Sequence, residues 1–186
     1  MNSDHRILVA VAAFGFLFLS LIIAVLPAFE AQKTAPHADA APFTELEARG
    51  RELYVKEGCA TCHTQFVRDL PMDEPYGRGS VAEDYAREDP PLLGTQRTGP
   101  DLANVGERQP SDVWHLIHLY NPRAVVTTSV MPAYPWYFEE KSEAEPGDVI
   151  VPVPDEFKPA GKVVVSTEDA DALVAYLKAL KQHPIE

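Results

Sequence analysis

Cys59-Ala60-Thr61-Cys62-His63 decides how the rest of the chain is read. C-x-x-C-H is the attachment signature of c-type haem. Each cysteine adds across one vinyl group to give a thioether, and the adjacent histidine reaches the iron from the same short segment. Other uses of the pair fit less well. A disulfide between residues so close in sequence closes too small a loop to stabilise much. A structural zinc site needs four ligands, and these two cysteines are the only ones in the chain. A thioredoxin-like pair belongs in a βαβ pattern, which does not surround this one. Cys59 and Cys62 are therefore expected to carry one covalent haem c, with His63 as the first iron ligand.

Upstream, Thr44 to Glu57 has the period of a helix running directly into the motif. Thr44 caps it, Glu47 completes a capping box, and Leu46, Leu53 and Tyr54 form part of an apolar stripe. Gly50 costs about 1 kcal/mol there against alanine, a cost with a use if another helix must approach closely. Residues 31–42 (AQKTAPHADAAP) read as a linker, with His37 expected in solvent. Before it, Ile7 to Leu26 runs 20 residues without a charge. At ~1.5 Å per residue this spans ~30 Å, the thickness of a bilayer's hydrocarbon core. A cleaved signal peptide has a shorter apolar region with a small-residue site close behind, whereas Ala38-Asp39-Ala40 lies far downstream. The expected organisation is an anchor over 1–30 with its helix at about 7–27, the linker at 31–42, and a haem domain over 43–186. Arg6 favours a cytoplasmic N-terminus. Haem is attached to exported chains, so the domain is expected on the periplasmic side of a bacterial inner membrane.

Downstream, residues 69–100 are rich in Pro, Gly and charge and read as loops with a short helix around Val81 to Arg87. Ser111 to Tyr120 is a second helix, stopped by Asn121-Pro122. An acidic, proline-rich insertion occupies about 139–165, and its two valine-rich pieces are candidates for a hairpin. Ser166 to Lys181 is the last helix, with acids in its first turn and lysines in its last. The fold class is thus mainly α: one N-terminal transmembrane helix followed by a small helical domain with long loops.

The sixth iron position needs a second ligand. Met1 precedes the anchor, and Met72 lies nine residues from His63, too near to wrap over the opposite haem face. Met131, 68 residues on and just after the second helix, leaves room for a domain to enclose the ring. It is the expected ligand, with His115 and His118 as alternatives. Met/His ligation fills the iron and suits outer-sphere electron transfer. In the turn Thr98-Gly99-Pro100-Asp101-Leu102, the Pro100 carbonyl is a candidate acceptor for the His63 ring N–H. Trp114, Tyr134 and Trp136 are candidate pocket walls, and Arg68, Arg97 and Arg123 candidate partners of the haem propionates.

The net charge is −12, from 28 acidic and 16 basic residues. This argues against nucleic acid or an anionic lipid surface as a partner and is compatible with a basic protein partner or with simple solubility.

Four ordered segments carry a family resemblance: Tyr54–Arg68 (YVKEGCATCHTQFVR), Arg97–Val105 (RTGPDLANV), Ser111–Arg123 (SDVWHLIHLYNPR) and Ser129–Trp136 (SVMPAYPW). Together they closely resemble the mono-haem subunit, subunit II, of cbb3-type cytochrome c oxidases. The resemblance implies a subunit that takes electrons from a donor cytochrome c and passes them to a haem-copper catalytic subunit that reduces oxygen. By position it also implies attachment through Cys59 and Cys62 and ligation by His63 and Met131. The membrane exit at Leu26-Pro27-Ala28-Phe29, the Val67–Leu93 segment and the 142–165 stretch depart from the family pattern, as in a divergent relative. Alternative readings are an independent tethered electron shuttle, a cytochrome serving a nitric oxide reductase, and a haem peroxidase, which requires an open sixth position.

Overall fold

The computed structural model describes residues 3–38, 40–86 and 88–184. It forms two compact units, Met1–Ala38 with Val81–Arg87, and Asp39–Ser80 with Glu88–Glu186. Met1, Asp39 of the small-residue site and Arg87 at the end of the expected short helix lie outside the described residues.

In the first unit, α1 (Ser3–Ser20) continues through a π-helical turn (Leu21–Val25) into α2 (Leu26–Ala31). Pro27 gives the π-turn a cause. It has no N–H for the carbonyl four residues back, and its ring presses on that carbonyl. Widening the turn, with the Leu26 N–H bonded to the Leu21 carbonyl, makes room for the ring. None of the helix from Ser3 to Leu26 is buried in protein, and its apolar side chains point outward on every face. It is long and apolar enough to cross a membrane. In the second segment of this unit, the expected short helix is a 3₁₀ turn over Ala82–Tyr85. His37 is not solvated as its linker setting suggested. Its side chain is only 13% exposed, with Nε2 at 3.1 Å from the Asp84 carboxylate.

In the second unit, α3 (Glu45–Lys56) begins at Thr44, whose hydroxyl accepts from the Glu47 N–H while the Glu47 carboxylate accepts from the Thr44 N–H. Two orphan donors at the helix start are thereby satisfied. The helix buries Leu53 and Tyr54 against α6 (Glu168–Ala179), which contributes Leu173, Val174, Tyr176 and Leu177. The Tyr54 and Tyr176 rings meet edge to face at 5.4 Å. Gly50 sits at the crossing, where a Cβ would lie 1.9 Å from the Ala172 carbonyl oxygen. The glycine that helix propensity disfavours is what lets these backbones touch. Gly106, in the short α4 (Val105–Arg108), makes a similar approach to α6, with its N–H on the Leu180 carbonyl at 3.0 Å. Between them α5 (Asp112–Tyr120), capped by the Ser111 hydroxyl, buries His115, Leu116, Leu119 and Tyr120.

The 139–165 insertion is not simply a hairpin. Its valine-rich pieces, β2 (Ile150–Val151) and β3 (Val163–Ser166), do pair antiparallel. A further strand, β1 (Phe138–Lys141), pairs on the other side of β3, giving the order β1-β3-β2. Its sequence, Phe-Glu-Glu-Lys, hid it: only Phe138 is buried, and the strand exists because β3 supplies its ladder. Lys141 gathers the acidic loop that follows, at 2.9 Å from Asp148 and 3.1 Å from Glu145.

Candidate haem site

Gly58 ends α3 in the left-handed region at φ 70°, a conformation that costs glycine little. The chain then turns sharply through Cys59–Thr61, and the N–H groups of Cys62 and His63 both bond the Cys59 carbonyl, at 3.1 and 2.9 Å. One turn of backbone therefore presents both thiols and the imidazole. Both cysteines are free and partly buried. Burial, helped by the charge of Glu57, pushes the Cys59 thiol up to about 12. That is opposite to the depressed thiols of redox-exchange pairs.

The segment from 93 to 102 wraps this turn. Gln65 N–H bonds the Leu93 carbonyl at 3.0 Å, Gly99 N–H the Cys62 carbonyl at 2.9 Å, and Leu102 N–H the Thr64 carbonyl at 2.8 Å. The Pro100 carbonyl lies 2.8 Å from His63 Nδ1, as the turn's sequence suggested. Gly99 lies flat against the ring, and a Cβ there would meet His63 Cε1 at 2.3 Å. Burial lowers the pKa of His63, opposed by the Pro100 bond and the charge of Asp101. With Nδ1–H donated to Pro100, the lone pair of the neutral ring is on Nε2, which has no hydrogen-bond partner among the described residues.

Helix α5 brings a second group to this region. His118 stacks on Trp114 at 4.6 Å, and its Nδ1 is buried without a hydrogen-bond partner among the described residues. Burial, then the neighbouring His115 and His63, push its pKa down to about 4. His115 bonds the Gln109 carbonyl at 2.8 Å.

Met131 is half-buried against the core. Its loop is buckled from two sides. Arg123 Nη1 donates to the carbonyls of Ser129 and Met131 at 3.0 and 3.2 Å, and Tyr134 N–H bonds the Leu119 carbonyl of α5 at 2.9 Å. Tyr134 is buried, while Trp136 is 59% exposed and touches Tyr134 edge to face.

All three candidate propionate arginines have protein partners. Arg123 holds the Met131 loop. Arg68 and Arg97 both bond Asp73, at 2.8 and 2.6 Å, and Arg97 also reaches Asp101 at 3.3 Å. They hold the Asp73 carboxyl well below the usual carboxylate range. Asp73 and Asp101 are fully buried and escaped the sequence reading, because acids among Pro and Gly look like solvated loop. Gly99 escaped it as well, though glycine before Pro100 was a usable signal.

The donor set fits a haem. Two free thiols share one turn with an imidazole, and among the described residues neither its Nε2 nor the buried Nδ1 of His118 on α5 has a hydrogen-bond partner. The family model described as cytochrome C oxidase, mono-heme subunit/FixO matches residues 2–153. No curated protein matches the chain.

Proposed function

The chain belongs to the family of mono-haem subunits of cytochrome c oxidase, and from that premise we propose that it relays electrons from a donor cytochrome c to the haem-copper catalytic subunit of a cbb3-type oxidase. Family membership makes it a haem-carrying, electron-transferring subunit of an oxidase complex. In our reading Cys59 and Cys62 would hold the haem covalently, and His63 and Met131 would both ligate its iron. The bound haem supplies one-electron chemistry at its iron. The chain's own residues orient and enclose it. Pro100 fixes the His63 ring, Gly99 sets its depth, Arg123 braces the Met131 loop and Tyr134 ties that loop to α5. The observation that carries this reading is His63, tied at Nδ1 with Nε2 unclaimed, on the same turn as both thiols.

The helix from Ser3 to Ala31 is proposed to span the bacterial inner membrane once, with the haem domain on the periplasmic side. Filling both axial positions separates this reading from a peroxidase. Met131→Ala tests it. The variant is expected to lose the weak far-red band of Met-ligated ferric haem. Its reduction potential is expected to fall by on the order of 0.1 V, because thioether ligation raises the potential. A band that survives the substitution would assign the sixth position to another methionine, Met72, and a wild type that lacks the band would assign it to a histidine, His118 first in line.

Purification of the full chain in mild detergent tests the assembly. A haem-copper subunit is expected to accompany the haem-stained band. Recovery of the chain alone would favour the independent shuttle.

A further inference from the structure

Beneath the His63 side of the site lies a closed ionic cluster that the electron-relay reading does not use. The Asp101 carboxylate, 0% exposed, accepts at one oxygen from the Thr64 hydroxyl at 2.5 Å, the Phe66 N–H at 2.9 Å and Arg97 Nη2 at 3.3 Å. Its other oxygen accepts from the Ala103 N–H at 2.8 Å, and its carbonyl accepts from Arg108. Arg97 continues the net, with Nε on the Thr64 hydroxyl at 2.7 Å, Nη2 on the Phe66 carbonyl at 2.6 Å and Nη1 on Asp73 at 2.6 Å. Asp73 is closed off in turn by the Arg68 N–H, Nε and Nη2. Two carboxylates thus face two guanidinia.

The cluster joins the two strands of chain that make the proximal side. Thr64 directly follows His63, Phe66 lies two residues further on, and Asp101 directly follows Pro100. The bonds Asp101 makes to residues 64 and 66 join these two strands beside the Pro100 carbonyl, itself 2.8 Å from His63 Nδ1.

We propose that Asp101 is a positioning residue for His63: its buried carboxylate clamps the 97–102 turn to the haem-binding turn, and its charge, balanced by Arg97, sets the electron density of the imidazole that faces the iron. A hydrogen bond to the distal nitrogen of a ligating histidine orients the ring and raises its basicity. A negative charge beside it acts in the same direction by Coulomb attraction, which water screens little at a buried site. Ferric haem carries one more positive charge than ferrous. Loss of the Asp101 charge therefore favours the ferrous state, and loss of the Arg97 charge favours the ferric state.

The proposal rests on His63 being an iron ligand. The test uses the full-length holoprotein in detergent, with reduction potentials and spectra measured on wild type, Asp101→Asn, Arg97→Gln and Arg97→Lys. Asp101→Asn is expected to raise the potential and Arg97→Gln to lower it. Each should shift the one-electron equilibrium several-fold and up to about tenfold, where tenfold is ~59 mV. Arg97→Lys, which keeps the charge, is expected to stay near wild type. A merely structural net would loosen the same way in both charge-removing variants, so shifts of one sign, or none, overturn the proposal. Should Asp101→Asn fail to retain haem, equal potentials for Arg97→Gln and Arg97→Lys overturn it. A wild type without a low-spin, histidine-ligated spectrum would instead sink the ligand assignment itself.

Discussion

Replacing Cys59 and Cys62 together by alanine is expected to remove the haem from the denatured chain completely. Each thioether is a covalent bond that survives unfolding, so haem staining on a denaturing gel reads attachment directly. With both thiols gone, retention depends on axial bonds and packing alone. The single variants are expected to keep one thioether and a weakened stain. The effect should extend to the fold. Cys59 and Ala60 pack against the hydrophobic core, and on α5 the buried His118 Nδ1 has no hydrogen-bond partner among the described residues. A chain without its haem is expected to melt earlier, because a ligand that binds only the folded state stabilises it by mass action. Undiminished staining in the double variant would show that attachment lies elsewhere.

Gly50→Ala is the second large effect, and two opposing magnitudes decide its sign. By helix propensity alone alanine should stabilise α3 by ~1 kcal/mol. The Cβ, however, would stand 1.9 Å from the Ala172 carbonyl oxygen, 2.6 Å from its carbon and 2.7 Å from Tyr176 Cβ. Two of these are backbone atoms of a facing helix and cannot rotate away. Overpacking of a tight core costs ~1–3 kcal/mol even when side chains can yield. Here α3 and α6 must separate, loosening Leu53, Tyr54, Leu173 and Tyr176 together. A net loss of at least ~3 kcal/mol is expected, or about 10 °C in Tm for a chain of this size. Thermal denaturation followed by circular dichroism measures it. A Tm at or above wild type would mean that the crossing is looser than described.

What could be read ahead in this chain was whatever is local. Thr44 with Glu47 caps α3 as its chemistry directs, Ser111 does the same for α5, and at α6, where Ser166 and Thr167 offer the same hydroxyl, it is Thr167 that accepts from the Ala170 N–H. Likewise, the five residues of the haem motif sit on one turn, so the thiols and His63 come together without help from the rest of the fold. Gly50 was legible as an anomaly, and its role followed from asking what a poor helix former is for. Long-range effects were not legible. Strand β1 is charged and short and owes its existence to β3, some 25 residues downstream. His37 and Asp84, 47 residues apart, meet in a way that neither segment's composition announces. Asp73 and Asp101 are buried only because Arg68, Arg97 and Thr64 converge on them. A sequence displays the charge of such an acid and hides its partners. The arginines were recognised as site candidates, and their contacts point to the ionic cluster and the Met131 loop.

The chain is proposed to relay electrons to a catalytic partner and to reduce no oxygen itself. Mixing the reduced protein with oxygen, while following its haem absorbance, tests that most directly. Reoxidation is expected to be fast when the chain is assembled with the haem-copper subunit, and slow when the purified chain is alone, since ligation by His63 and Met131, as proposed, would leave oxygen no open iron position. Equally fast reoxidation of the isolated chain would contradict the account.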